Sequence, residues 1–180
     1  MNGLIKDLGL LINATLIATP PLLLAALGSC FSERCGVVNI GIEGMMTIGA
    51  FTGAVMGLTT GNGWIAFLCA GLAGALFGLI HAFVCISCHA DQTIAGTAIN
   101  FLGPGLALFL CKAMYNNSSD TPAMDPSCKL PKLFEGVFPT GSFWNNVLNV
   151  YAVAYLVFIL AFVCWFVFYK TKFGAHLRAV

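Results

Sequence analysis

Charge is what this sequence has least of. Only 8% of its 180 residues are Asp, Glu, Lys or Arg, while 59% are hydrophobic. A soluble domain carries about 25% charged residues, so water is not the solvent this chain is built for. Its net charge of +1 provides no basic field for nucleic acid and no acidic surface for a cationic partner. Short runs of alternating polarity are missing too, which argues against a β-barrel. The apolar runs are long and continuous, as membrane helices require.

Two kinds of catalytic equipment are also absent. There is no P-loop, so the chain has no such means of binding ATP or powering work by itself. No nucleophile stands beside a base and an orienting group, because His81, His89 and His176 fall in three separate segments. Neither an enzyme activity nor a cofactor of its own is expected.

Cysteine, by contrast, is plentiful at eight. Cys30, Cys69, Cys85, Cys88, Cys111 and Cys164 lie in or at the ends of apolar runs, a pattern that fits small hydrophobic filler better than a disulfide framework. Cys128 sits in a polar loop, and the sequence leaves a bridge from it to Cys111 open. Cys85-Ile-Ser-Cys-His89 is literally the CxxCH of c-type haem attachment. A membrane redox or haem protein using Cys85, Cys88 and His89 is therefore the alternative function from another class. Attachment needs two accessible thiols and a second axial ligand, whereas this motif closes an apolar helix.

The apolar segments number five, at about 20 residues each. They run over residues 8–31, 39–58, 64–86, 93–114 and 147–169. Pro20 and Pro21 should kink the first. Leu27-Gly-Ser-Cys30 near its end looks like a lipoprotein cleavage box, but Asp7 offsets Lys6 and more membrane follows. Thr59 to Gly63 is a turn cluster, and Trp64 is placed like an interfacial anchor. Gly74 and Gly78 give the third segment a GxxxG packing signal. Gly103-Pro-Gly105 interrupts the fourth, either as irregular backbone beside a transport pathway or as an ordinary kink. Residues 115–146 form a long polar loop with four prolines, expected to be extracytoplasmic. The basic tail of Lys170, Lys172, His176 and Arg178 suggests a cytoplasmic C-terminus. Odd parity then puts the N-terminus outside and the breaks at 32–34 and 87–92 inside. The expected fold is an all-α integral membrane protein in the cell membrane.

The stretch with most chemistry is Gly36-Val-Val-Asn-Ile-Gly-Ile-Glu-Gly-Met-Met46. Glu43 stands between Gly41 and Gly44 where an apolar segment begins, and a carboxylate persists there only if it faces protein, water or a partner charge, or if this is a loop end from which it snorkels to the interface. Asn39 is expected about one helical turn earlier, on nearly the same face.

The block from Ala18 to Phe51, the block His89-Ala-Asp-Gln-Thr-Ile-Ala-Gly-Thr-Ala-Ile-Asn100 and the tail from Tyr169 to Val180 occur in an order that resembles one family. They are similar to the permease subunits of ABC importers of the ribose, branched-chain amino acid and nucleoside type, and closest to the nucleoside and simple-sugar branch. The resemblance implies an all-helical permease that pairs with a second permease and two cytoplasmic ATPase subunits, which bind the ATP. An extracytoplasmic solute-binding protein delivers the solute, and no nucleic acid is involved. It also implies that residues 170–180, including Lys172, Gly174, His176, Leu177 and Arg178, begin the loop that docks on the ATPase. On this reading residues 1–180 are one transmembrane domain, incomplete at its C-terminus. Relatives usually carry a basic residue where Cys85 to His89 stands. Asn39, Glu43, Gln92, Thr97 and Asn100 are the groups expected along the pathway, since amides and hydroxyls suit a neutral ribose or base. A branched-chain amino acid is the runner-up solute within the family.

Overall fold

Five described helices are long and apolar enough to cross a membrane: Asp7–Arg34, Ile42–Thr60, Gly63–Ser87, Gln92–Met114 and Ala152–Lys170. They belong to a computed structural model that describes residues 2–125, 129–134 and 143–177. In chain order the helices are α1 (Asn2–Arg34), α2 (Ile42–Thr60), α3 (Gly63–Ala82), α4 (Gln92–Met114), α5 (Phe143–Leu148), α6 (Ala152–Lys170) and α7 (Lys172–Leu177). A π-helical turn, Phe83–Ser87, ends α3. The chain is an all-α multi-pass membrane protein. Large apolar side chains point outward, Phe101 at 78% exposure and Leu72 at 70% among them. That arrangement is stable only where lipid is the solvent.

The chain divides into two units, residues 29–129 and residues 1–28 with 130–179. In the first, α2 and α3 form an antiparallel pair. Gly61 stops α2 at a left-handed φ of 64°, donating its N–H back to Gly57 O, and Asn62 starts α3 by accepting the Trp64 N–H at 2.9 Å. Helix α3 lies along the small face of α2: a Cβ added at Gly49 would come 3.1 Å from Ala70 O, and one at Gly53 would come 3.1 Å from Ala70 Cβ. The expected GxxxG of α3 does not pack in this way. Gly78 has nothing within 4 Å of a Cβ, and Gly74 only the Met45 carbonyl at 3.7 Å. Ile48, Phe77, Ile99 and Ala107 form the buried cluster shared by α2, α3 and α4.

Helix α4 passes unbroken through Gly103-Pro-Gly105. The expected interruption is thus a continuous helix, whose Pro104 leaves one carbonyl of the preceding turn without its usual donor. Helix α1 likewise runs through Pro20 and Pro21.

In the second unit the last apolar segment begins later than residue 147. Asn149 and Val150 close the short helix α5, Tyr151 pairs with Lys132 as an isolated antiparallel bridge, and Ala152 N donates to Pro131 O at 3.0 Å. These bonds hold the chain out of the helix until Ala152. At the other end of α6 the Thr171 hydroxyl accepts the Gly174 N–H at 3.3 Å and so starts α7.

Candidate functional site

The candidate site is the joint where residues 36–44 meet the first half of α4. Asp91 starts α4 by accepting the N–H groups of Thr93 at 2.8 Å and Ile94 at 3.0 Å. This cap aims the next residue, Gln92, at the loop before α2. Its Oε1 accepts the Val38 N–H at 2.7 Å and its Nε2 donates to Gly36 O at 3.3 Å. Two turns further along α4, Asn100 repeats the arrangement. Its Oδ1 accepts the Gly44 N–H at 2.8 Å and its Nδ2 donates to Ile40 O at 2.9 Å.

A neutral amide suits this pair of bonds, because it offers a donor and an acceptor side by side. The need arises from the loop itself. Residues 35–41 lie between the candidate spans Asp7–Arg34 and Ile42–Thr60, and irregular backbone beside an apolar bundle needs hydrogen-bond partners. Two amides on α4 supply four such bonds and fix residues 36–44 in register.

Asn39 does not lie on the helix face expected for it. Helix α2 begins at Ile42, after Gly41, and Asn39 precedes it, accepting the Gly41 N–H on its Oδ1 at 3.1 Å. Asparagine favours such a local turn over helix, which is why the helix starts later than the apolar pattern suggests. Its Nδ2 lies 3.7 Å from the Met45 sulfur.

Glu43 stands in the first turn of α2, exposed. Its carboxylate makes no hydrogen bond or ion pair among the described residues, and only its backbone carbonyl is engaged, accepting from Thr47 at 2.9 Å. Thr97 is exposed and its hydroxyl is bonded to Thr93 O at 2.8 Å. The structure therefore draws Gln92, Asn100 and the 36–44 backbone into one network and leaves the Glu43 carboxylate outside it.

The tail residues form a second group. Lys172 and His176 are exposed on the six-residue helix α7, and His176 Nδ1 lies 2.9 Å from Lys172 O, so that nitrogen carries the hydrogen. Gly174 is buried because α7 folds tightly against the end of α6: a Cβ there would come 2.6 Å from the carbonyl carbon of Phe168. Leu177 is half-buried. Arg178 and Cys128 lie outside the described residues.

The CxxCH reading fails on accessibility. The π-helical turn buries Cys85 against His81, with the sulfur 3.7 Å from Nε2, while Cys88 and His89 are exposed. Haem attachment needs both thiols in reach.

Over residues 11–180 the sequence matches the family described as branched-chain amino acid transport system / permease component. The chain belongs to this family. It is 42% identical to the guanosine ABC transporter permease protein NupQ of Bacillus subtilis, an alignment covering 98% of this chain and 57% of the relative. It is 32% identical to the nucleoside ABC transporter permease protein NupC of Lactococcus lactis, over 99% of this chain and 57% of that one. With the putative glucose ABC transporter permease protein TsgC13 of Haloferax volcanii it shares 36% identity over 94% of this chain and 51% of the relative. The chain thus spans about half the length of the curated relatives it matches. No solved structure matches it.

Two features of the joint escape the sequence reading. Gly96 and Gly103 pack on the α2 side of α4, Gly96 within 3.0 Å of the Gly41 nitrogen when given a Cβ. The Gly49, Gly53, Gly57 series on α2 is itself a doubled GxxxG, a longer repeat than the one in α3.

Proposed function

We propose that the chain forms the translocating part of an ATP-driven importer for nucleosides or simple sugars, working by alternating access. One observation carries this reading: over nearly its whole length the chain aligns with permeases named for guanosine, nucleosides and glucose. Its partners are then a second permease subunit, two cytoplasmic ABC ATPases that hold the ATP, and an extracytoplasmic binding protein. The N-terminus lies outside and α7 on the cytoplasmic side, where the exposed Lys172 and His176, with Leu177 and the following Arg178, meet the ATPase. Buried Gly174 sets the angle at which α7 is presented.

Within this scheme Glu43, Asn39 and Thr97 stand along the pathway. Gln92 and Asn100 act there through the backbone they hold, since their amides are engaged by residues 36–44. ATPase closure, passed through α7, would rock the helices and open the path alternately to each side. Uptake of labelled guanosine, glucose and leucine by cells expressing the complete transporter tests the proposal. Saturable, ATP-dependent uptake of guanosine or glucose is expected. Uptake of leucine alone would instead assign the chain to amino-acid transport.

A further inference from the structure

Beyond α4 the chain reverses sharply. Asn116 and Asn117 adopt left-handed φ values of 47° and 63°, a conformation asparagine tolerates better than other side chains. Asn117 N donates to Lys112 O at 3.0 Å and Ser118 N to Tyr115 O at 2.9 Å. The Ser118 hydroxyl then donates to Asp120 O at 2.8 Å and accepts the Asp120 N–H at 3.2 Å. This turn folds residues 119–121 back over a groove of about 250 Å³ between α2 and α4.

The groove has two kinds of wall. Phe51, Pro104, Ala107 and Leu108 make an apolar floor, and Ser119, Asp120 and Thr121 make a polar lip. The side-chain oxygens of the lip have no hydrogen-bond or ionic partner among the described residues. Thr47 adds a hydroxyl whose hydrogen is given to Glu43 O, so its oxygen can only accept.

We infer that this groove is a binding site for a solute carrying a vicinal diol, with a nucleoside as its best occupant. The inference rests on the permease reading above and names the solute chemistry that this part of the chain would recognise. A carboxylate takes two neighbouring hydroxyls through its two oxygens, and such charge-assisted bonds are the strong ones. Phe51 offers the face on which a base stacks. At about 250 Å³ the groove lies just below the range of about 300–1,000 Å³ usual for ligand sites, so it takes one small solute and nothing larger. An acyl chain is a poor occupant, because it would leave Asp120 against hydrocarbon. A metal ion is poorer still, since no group of three metal-ligating side chains occurs among the described residues. Guanosine, nucleosides and glucose, the solutes in the relatives' names, share the vicinal diol, and only the first two carry a base.

The test is equilibrium binding of labelled guanosine, 2′,3′-dideoxyguanosine and glucose to the full chain in lipid nanodiscs. Guanosine should bind saturably and the dideoxy analogue about tenfold or more weakly, the loss expected for a charge-assisted bond. Asp120→Ala should weaken guanosine about tenfold and leave the analogue unchanged. Phe51→Leu should weaken guanosine but not glucose. Phe51 also packs on the buried cluster, so Ser119→Cys gives a readout that leaves the core intact: guanosine should slow alkylation of the introduced thiol, and the dideoxy analogue at equal concentration should not. Absence of saturable guanosine binding, equal guanosine affinity in wild type and Asp120→Ala, or alkylation at position 119 indifferent to guanosine overturns the groove, while uptake still decides the permease reading on its own. Saturable leucine binding in place of guanosine overturns both.

Discussion

Gly44 and Gly103 touch through bare backbone. A Cβ on Gly103 would lie 2.6 Å from the Cα of Gly44, and one on Gly44 would run into the carbonyl oxygen of Ile99. Helices α2 and α4 therefore approach closely enough for Asn100 to reach the Gly44 N–H at 2.8 Å. Small residues create this kind of contact in membranes, where packing rather than water expulsion drives helices together.

Gly103→Ala tests the contact directly. The methyl group would have to push the two backbones apart, and overpacking of this kind costs about 1–3 kcal/mol. We expect a lower unfolding temperature in detergent. Gly78→Ala is the matched control, because nothing lies within 4 Å of its added methyl, and it should unfold like the wild type. Equal stability of the two variants would show that α2 and α4 do not meet at Gly103.

Asn100 carries a second, separable contribution. Asn100→Ala removes the partner of the exposed Ile40 carbonyl and strands the N–H of buried Gly44, the latter at about 1–3 kcal/mol. Asn100→Asp keeps an acceptor for Gly44 but turns a second carboxylate oxygen on the Ile40 carbonyl, 2.9 Å from the present nitrogen, so its stability should fall at or below that of Ala. Limited proteolysis within residues 36–41 should follow the same order. An Asn100→Ala variant as resistant as wild type would mean that this amide does not hold the loop.

These two positions show how much could be read in advance. The helices were legible because a run of about 20 apolar residues has few alternatives in a bilayer. The special character of Gly41, Glu43 and Gly44 was legible as well, since glycine and a carboxylate are both out of place in an ordinary membrane helix. What residues 92 and 100 bond to was not. A free amide in an apolar segment looks the same whether it faces a solute or a loop from a distant part of the chain. The GxxxG signal misled for a related reason: α3 turns Gly78 away from its neighbours, and the packing falls on Gly49 and Gly53 of α2 instead. Spacing shows which residues share a face, but not which face meets a partner.

The proposed orientation predicts the labelling of single cysteines. Asn117, at the turn after α4, and Lys172, in α7, are both exposed. With the exposed native Cys30, Cys35 and Cys88 and the loop residue Cys128 replaced by alanine, Asn117→Cys should react with a membrane-impermeant maleimide added outside intact cells. Lys172→Cys should react only after the membrane is opened. Reaction of both from the same side would contradict an extracytoplasmic turn paired with a cytoplasmic α7.

Glu43 is where stability and function should separate. Its carboxylate lies in the first turn of α2, exposed and without a hydrogen bond or ion pair among the described residues. The helix N-terminus favours a negative charge there by only about 0.3–1 kcal/mol. Glu43→Gln and Glu43→Ala should thus unfold within about 1 kcal/mol of the wild type and insert normally. A carboxylate at the start of an apolar helix is costly unless it faces water or a partner charge, and the proposed transporter brings a second subunit that can supply one. If a cation of the second permease subunit or of the pathway pairs with it there, removing one member leaves the other unpaired, at about 3–5 kcal/mol. We therefore expect Glu43→Ala, in a complete permease with its ATPase and binding protein, to abolish uptake. Glu43→Gln, which keeps the hydrogen-bonding shape and loses the charge, should fall between it and the wild type. Wild-type uptake by Glu43→Ala would leave the carboxylate an interfacial group reaching for water, with no part in transport.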